Sequence, residues 1–147
     1  MEAKGGVGPS DVPLSIEILS RDECLGLLAD HQYGRLAVVV DDQPMIFPVN
    51  YALEGDALGV RTDPGHKFDA VVLSKVAFEV DSIDTESHEG WSVVVLGTGR
   101  EITDAIDAAS VRMREAPLVP WAPGAKAQWI KIFSETITGR RLTRHHR

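Results

Sequence analysis

Cysteine is nearly missing from this chain of 147 residues, where Cys24 stands alone. A single thiol excludes an internal disulfide, and its place in an apolar helical pattern marks it as a small buried hydrophobe; a reducing cytoplasm fits. Aromatic residues are few, at 6%. Positive charge is also short, since 15 Lys and Arg against 22 Asp and Glu give a net charge of −7 and a pI near 5.1. That balance excludes a sequence-independent grip on nucleic acid, which relies on clustered cations neutralising phosphates. Long apolar runs are absent. The LAVVV stretch is far too short to span a bilayer, and MEAKGGVGPSDVP lacks the apolar core of a signal peptide.

What remains is ordinary globular composition, 44% hydrophobic and 25% charged, enough for one compact core. Residues 1–13, rich in Gly, Pro and small polar types, read as a flexible leader. A single domain follows over 14–142, and 143–147 form a basic tail. The closing RRLTRHHR, from Arg140 on, carries four of the fifteen cations and is expected to be frayed and solvated.

Ser20 and Glu23 have capping-box spacing, and Cys24, Leu25, Leu27 and Leu28 supply an apolar face, which predicts a helix from about Ser20 to Asp30. Strand signals then crowd together. GRLAVVV (34–40), PMIFPVNYAL (44–53) and ALGVRT (57–62) are joined by the short turns DDQP and EGD, so they must form an antiparallel meander. Pro48 removes a ladder donor and points to an edge or a bulge. Asp63 as N-cap and Pro64 at the first helical position predict a helix over 64–75. VAFEVDSI (76–83) and GWSVVVLGTGREI (90–102) are further strands linked by an acidic loop, 103–116 looks helical, and WIKIFSETITGRRL (129–142) alternates as a last strand. The pattern predicts a mainly β fold with short helices: a six-stranded antiparallel β-barrel of Greek-key type.

Two constellations carry chemistry. In GVRTDPGHKFDAV, Arg61 and Thr62 end a strand and Lys67 lies in the first turn of the next helix, where free N–H groups and the helix dipole favour an anion. Forked guanidinium, hydroxyl and ammonium together resemble a phosphate grip. The same cations read equally well as surface partners of Asp63, Asp69 or Glu54. In IFPVNY, Pro48 and Asn50 leave backbone groups and an amide for a planar polar ring, or else Asn50 satisfies local backbone.

Taken in order, GRLAVVVDDQPMIFPVNYAL, GVRTDPGHK, VAFEVD and GWSVVVLGTGRE resemble the pyridoxamine 5′-phosphate oxidase-like family of flavin-binding split-barrel proteins, in the small bacterial branch that includes nitroimidazole-reductase-like members. The resemblance runs from about Leu19 to Leu142. It implies a split barrel, a homodimer with one FMN in each of two interface grooves, and a flavin-dependent oxidoreductase acting on a small molecule. It further implies that Pro48, Val49 and Asn50 border the isoalloxazine ring. Arg61, Thr62 and Lys67 would hold the ribityl phosphate, with Trp91 and Ser92 near the flavin from one subunit or the other. The C-terminal segment with which the oxidase proper grips its substrate has no match in WIKIFSETITGRRLTRHHR, so pyridoxamine phosphate is not the expected substrate. Two alternatives stay open: a deazaflavin cofactor, or flavin or haem binding without turnover. No side chain stands out as a catalytic acid or base. The five histidines show no metal-site spacing apart from the adjacent pair in the tail, and the carboxylates between Glu79 and Glu89 lack the pattern of a calcium loop. Trp121 and Trp129 read as core or interface residues.

Overall fold

The computed structural model describes residues 12–62, 71–72, 74–102, 118, 120 and 128–144. Its elements are β1 (Leu14–Ile18), α1 (Arg21–Ala29), β2 (Tyr33–Val40), β3 (Gln43–Asn50), β4 (Ala52–Glu54), β5 (Ala57–Thr62), β6 (Lys75–Ile83), β7 (Gly90–Glu101) and β8 (Gln128–Arg144). Every strand pairing is antiparallel, and the strand order is β3-β2-β6-β7-β8-β5-β4, with β1 also on β8. The sheet curls so that β3 also meets β5. No ladder joins them, and the barrel stays split.

Period-2 alternation explains which face turns inward. Leu36 and Val38 of β2, Phe78 and Val80 of β6, Val93 and Val95 of β7, and Ile130 and Ile132 of β8 form the core with Leu58 and Val60 of β5. Helix α1 adds Leu28 and the fully buried Cys24. Its predicted start is present in full, because Ser20 accepts from the Glu23 N–H while the Glu23 carboxylate accepts from the Ser20 N–H.

Among the described residues there are eight strands where six were expected. LSIEI, at the start of the expected domain, carries no assigned element in the sequence reading, yet it pairs residue by residue with the end of β8. The expected 44–53 strand is divided at Tyr51, whose N–H donates to the Gln32 carbonyl while its ring meets Phe78 edge-on at 5.0 Å. Its hydroxyl donates to the Leu28 carbonyl, so helix and sheet are pinned through one side chain. Pro48 lies on β3, an edge strand, as its missing N–H requires.

The basic C-terminus departs from expectation. Arg140 to Arg144 are not frayed but belong to β8, because the chain has β1 to pair with. Arg144 donates through Nε and Nη2 to the Ser87 carbonyl at 3.1 and 2.8 Å and through Nη1 to the Val12 carbonyl, tying three segments together. Residues 145–147, most of the leader and the helices expected over 64–75 and 103–116 lie outside the described residues, save Val71, Val72 and Ser74 and the strand residue Lys75. No helix among the described residues is long and apolar enough to cross a membrane.

Two glycines give opposite tests of this packing. A Cβ at Gly34 would sit 2.5 Å from the Phe78 ring and 2.6 Å from the Glu79 carbonyl oxygen, whereas one at Gly26 in α1 would meet nothing within 4 Å. Gly34→Ala is expected to destabilise by about 1–3 kcal/mol. Gly26→Ala should stabilise by about 0.5–1 kcal/mol through helix propensity. Urea unfolding of both variants checks this, and a neutral Gly34→Ala would contradict the close β2–β6 approach.

Candidate functional site

The alternation that fills the core also decides what the outer face of the sheet presents. With Leu36 and Val38 inward, Arg35 points out; with Val76, Phe78 and Val80 inward, Glu79 and Asp81 point out. Register then sets Pro48, Arg35, Glu79 and Val94 side by side across β3, β2, β6 and β7. One step along, Asp81, Ser92 and Arg140 are cross-strand neighbours on β6, β7 and β8. A polar band therefore crosses the outer face.

On one side of the band the surface is apolar. Ala37, Val39, Pro44, Met45, Ile46, Ala77 and Leu96 line an open groove of about 660 Å³ whose polar wall is the Lys75–Glu135 ion pair, 3.2 Å apart. Val39, Ile46 and Leu96 are 60%, 68% and 48% exposed, a large apolar area for a sheet face left in water. On the other side lies a smaller cleft of about 260 Å³ that includes Trp91, Ser92 and Arg140.

The residues predicted for the site fall into two groups. Pro48, Val49 and Asn50 end β3, and Arg61 and Thr62 end β5, opposite Trp129 and Gln128 of β8. The chain breaks at Tyr51 between β3 and β4, and β3 meets β5 across the split. Arg61 donates to the Leu118 carbonyl at 2.9 Å, and its guanidinium carbon stands 5.7 Å from the centre of the Trp129 ring. That stacking orients a planar cation at the strand end. Asn50 donates to the Gln32 carbonyl at 3.2 Å. The Val49 side chain is buried in the core, so its backbone is what can border a ligand. Lys67 lies outside the described residues.

Trp91 and Ser92 open β7. Within one chain Ser92 stands three strands from Asn50, about 14 Å across the sheet. The Trp91 ring meets His31 edge-on at 4.7 Å, and His31 is itself held by a 2.7 Å hydrogen bond between Nδ1 and the Leu27 carbonyl. Ser92 is thus separated from Asn50 across the sheet, while Trp91 packs on His31, next to the Gln32 whose carbonyl takes the Asn50 amide.

Sequence reasoning missed Arg35, Glu79 and Asp81. Arg35 lies 2.9 Å from Glu79 and 3.4 Å from Asp81. Burial, then the hydrogen bond and negative charge of Asp81, push the Glu79 carboxyl up to about 7, against the opposing pull of Arg35. Strand phase alone places all three on the outer face; only the β2–β6 register, invisible in sequence, brings them into contact. The acidic loop is likewise more than a solvated run, since Asp84 accepts from the Glu86 and Ser87 N–H groups at 2.8 and 3.0 Å and is held below its ordinary value by them.

The sign of the Glu79 effect is fixed by its direction. The folded state binds this proton more tightly than the unfolded chain, so the associated stability is present below pH 4.5 and is lost as pH rises through about 7. Glu79→Gln keeps a neutral group of the same shape. Its melting temperature relative to the wild type is expected to rise as pH is raised across that window, and a difference independent of pH would contradict the carboxyl pairing.

Comparison with known proteins joins these observations. The family model described as pyridoxamine 5′-phosphate oxidase matches residues 20–141. A structure described as the FAD binding protein from Mycobacterium smegmatis is similar at 36% identity and a TM-score of 0.72, covering 85% of this chain and 98% of that one. A FAD-binding protein from Mesorhizobium loti is similar at 25% identity and a TM-score of 0.68, covering 89% and 99%. An uncharacterized protein of Mycobacterium tuberculosis is 34% identical over 131 residues, 84% of each chain. With a split antiparallel sheet and a match over nearly its whole length, the chain belongs to the pyridoxamine 5′-phosphate oxidase family, as flavin-binding split-barrel proteins do.

Proposed function

We propose that this protein is a flavin-dependent oxidoreductase that binds the FMN unit of its cofactor at the β3–β5 junction. The observation that supports the reading is the meeting of β3, which ends in Pro48, Val49 and Asn50, with β5, which ends in Arg61 and Thr62, across the split. There the edge of β3 and the Asn50 amide would face the isoalloxazine ring, with Val49 contributing backbone only. Arg61, Thr62 and Lys67 would take the ribityl phosphate, the forked guanidinium supplying paired donors and the lysine a point charge. FAD, named for two of the similar structures, contains the same unit, so the site accommodates either flavin through these contacts. The bound flavin supplies hydride or electron transfer, and the protein supplies binding and orientation.

Trp91 and Ser92 meet the flavin of a second copy of the chain in this reading; in their own subunit Ser92 stands three strands from Asn50. The exposed apolar groove around Val39, Ile46 and Leu96 supports a homodimer that covers the outer face. Light scattering is expected to give twice the 16.0 kDa chain mass; a monomer would remove the shared site.

Flavin-fluorescence titration tests the phosphate contacts. Arg61→Ala and Lys67→Ala are each expected to weaken FMN or FAD binding by about 1.5–3 kcal/mol, roughly 10- to 150-fold, the loss of one charge-assisted bond. Unchanged affinity in both variants would remove the assignment. Bleaching of the bound flavin by NADH or NADPH would support a reductase, and inertness to both and to air after chemical reduction would mark a binder without turnover.

A further inference from the structure

The cleft beside Ser92 lies where β7 comes close to β6 at Gly90, since a Cβ there would meet the Ser82 carbonyl oxygen at 2.3 Å. Ile83, Gly90, Leu142 and Ile16 are successive cross-strand neighbours in a single row over β6, β7, β8 and β1. Neighbours in such a row stand about 5 Å apart. Gly90 contributes no side chain to it, and Ser92 in the adjoining row contributes a short one, so the surface dips between Ile83 and Leu142. The resulting cleft of about 260 Å³ is lined by these residues with Trp91 and Arg140. That is the liquid volume of about nine waters, room for a molecule of roughly ten non-hydrogen atoms.

Its polarity is one-sided. Ile16, Ile83 and Leu142 are apolar walls, and Arg140 is the cation of the lining. Arg141 next to it lies 3.6 Å from Glu23, and Arg144 is engaged by the Ser87 and Val12 carbonyls. Arg140 has no hydrogen-bonded or ion-paired side-chain partner among the described residues, and Asp81, two strands away in its own row, is already held by Arg35. An exposed guanidinium beside a small apolar recess matches a forked anion joined to a compact hydrophobic body.

We propose that this cleft binds a small organic carboxylate, with Arg140 holding the carboxylate and Ile16, Ile83 and Leu142 enclosing its apolar body. Because Ser92 and Trp91 also border the flavin in the reading above, and resting on that reading, such a carboxylate is the class of second substrate.

Calorimetric titration of the full chain with benzoate, its neutral isostere benzamide and inorganic phosphate tests this, with and without bound flavin. Benzoate is expected to bind at least about tenfold more tightly than either of the others, the worth of one charge-assisted contact. Arg140→Gln should erase that preference and leave flavin affinity unchanged. Equal binding of benzoate and benzamide, or benzoate binding unaltered in Arg140→Gln, overturns the proposal. So does an Arg140→Gln variant that loses flavin as strongly as benzoate, since the flavin would then occupy the cleft. If the wild type binds benzoate through Arg140 but takes no flavin, the carboxylate site stands and the flavin reading falls.

Discussion

One strand holds the sheet together, and its length is the constraint from which the rest follows. β8 runs for 17 residues, about 56 Å if straight, while a small domain is about 30 Å across. It must bend. The bend falls at Glu135, the extra residue of a bulge between Leu96–Thr136 and Gly97–Ser134. Gly97 sits opposite because a Cβ there would meet the Phe133 carbonyl oxygen at 2.3 Å. On one edge β8 carries all of β7; on the other it carries β5 before the bend and β1 after it. A single bent strand thus curls the sheet until β3 approaches β5.

The same curvature sorts the sheet into two unlike faces. Inward positions are filled by Leu, Val, Ile and Phe in continuous contact. Outward positions carry the band of Arg35, Glu79, Asp81, Ser92 and Arg140 between an apolar groove and an apolar cleft. A carboxyl pair with one guanidinium carries a net negative charge when fully ionised, and burial disfavours that charge. The raised Glu79 value is the local consequence. A proton held near neutrality, a cation left available and two apolar recesses are what this face offers to chemistry, whatever cofactor the strand ends bind.

Much of this was legible in the sequence. The capping box of Ser20 and Glu23 is a local signal read by local rules, and it was found intact. The strands beginning at Gly34, Ala57, Val76 and Gly90 announced themselves by β-branched alternation and turn residues. What stayed hidden depends on partners distant in the chain. LSIEI is unremarkable until the end of β8 pairs with it, and the same pairing converts an apparent basic tail into a strand through Arg144. Tyr51 breaks a strand because its ring is required by Phe78 and its hydroxyl by Leu28. Of the candidate site, Pro48 and Asn50 were named from motif on what proves to be β3, and Arg61 and Thr62 on β5, two strands that meet across the split. Alternation buries the Val49 side chain, which leaves its backbone as the part that faces outward. Arg35, Glu79, Asp81 and Arg140 were passed over because their meaning lies in register.

Membership in the pyridoxamine 5′-phosphate oxidase family gives the fold a context, while the chemistry rests on the strand ends of β3 and β5. The most direct measurement is the visible absorption spectrum of the protein after incubation with FMN or FAD and removal of free ligand by gel filtration. The account predicts a flavin spectrum eluting with the protein at one flavin per chain. Protein that elutes without flavin after incubation with either cofactor would contradict it.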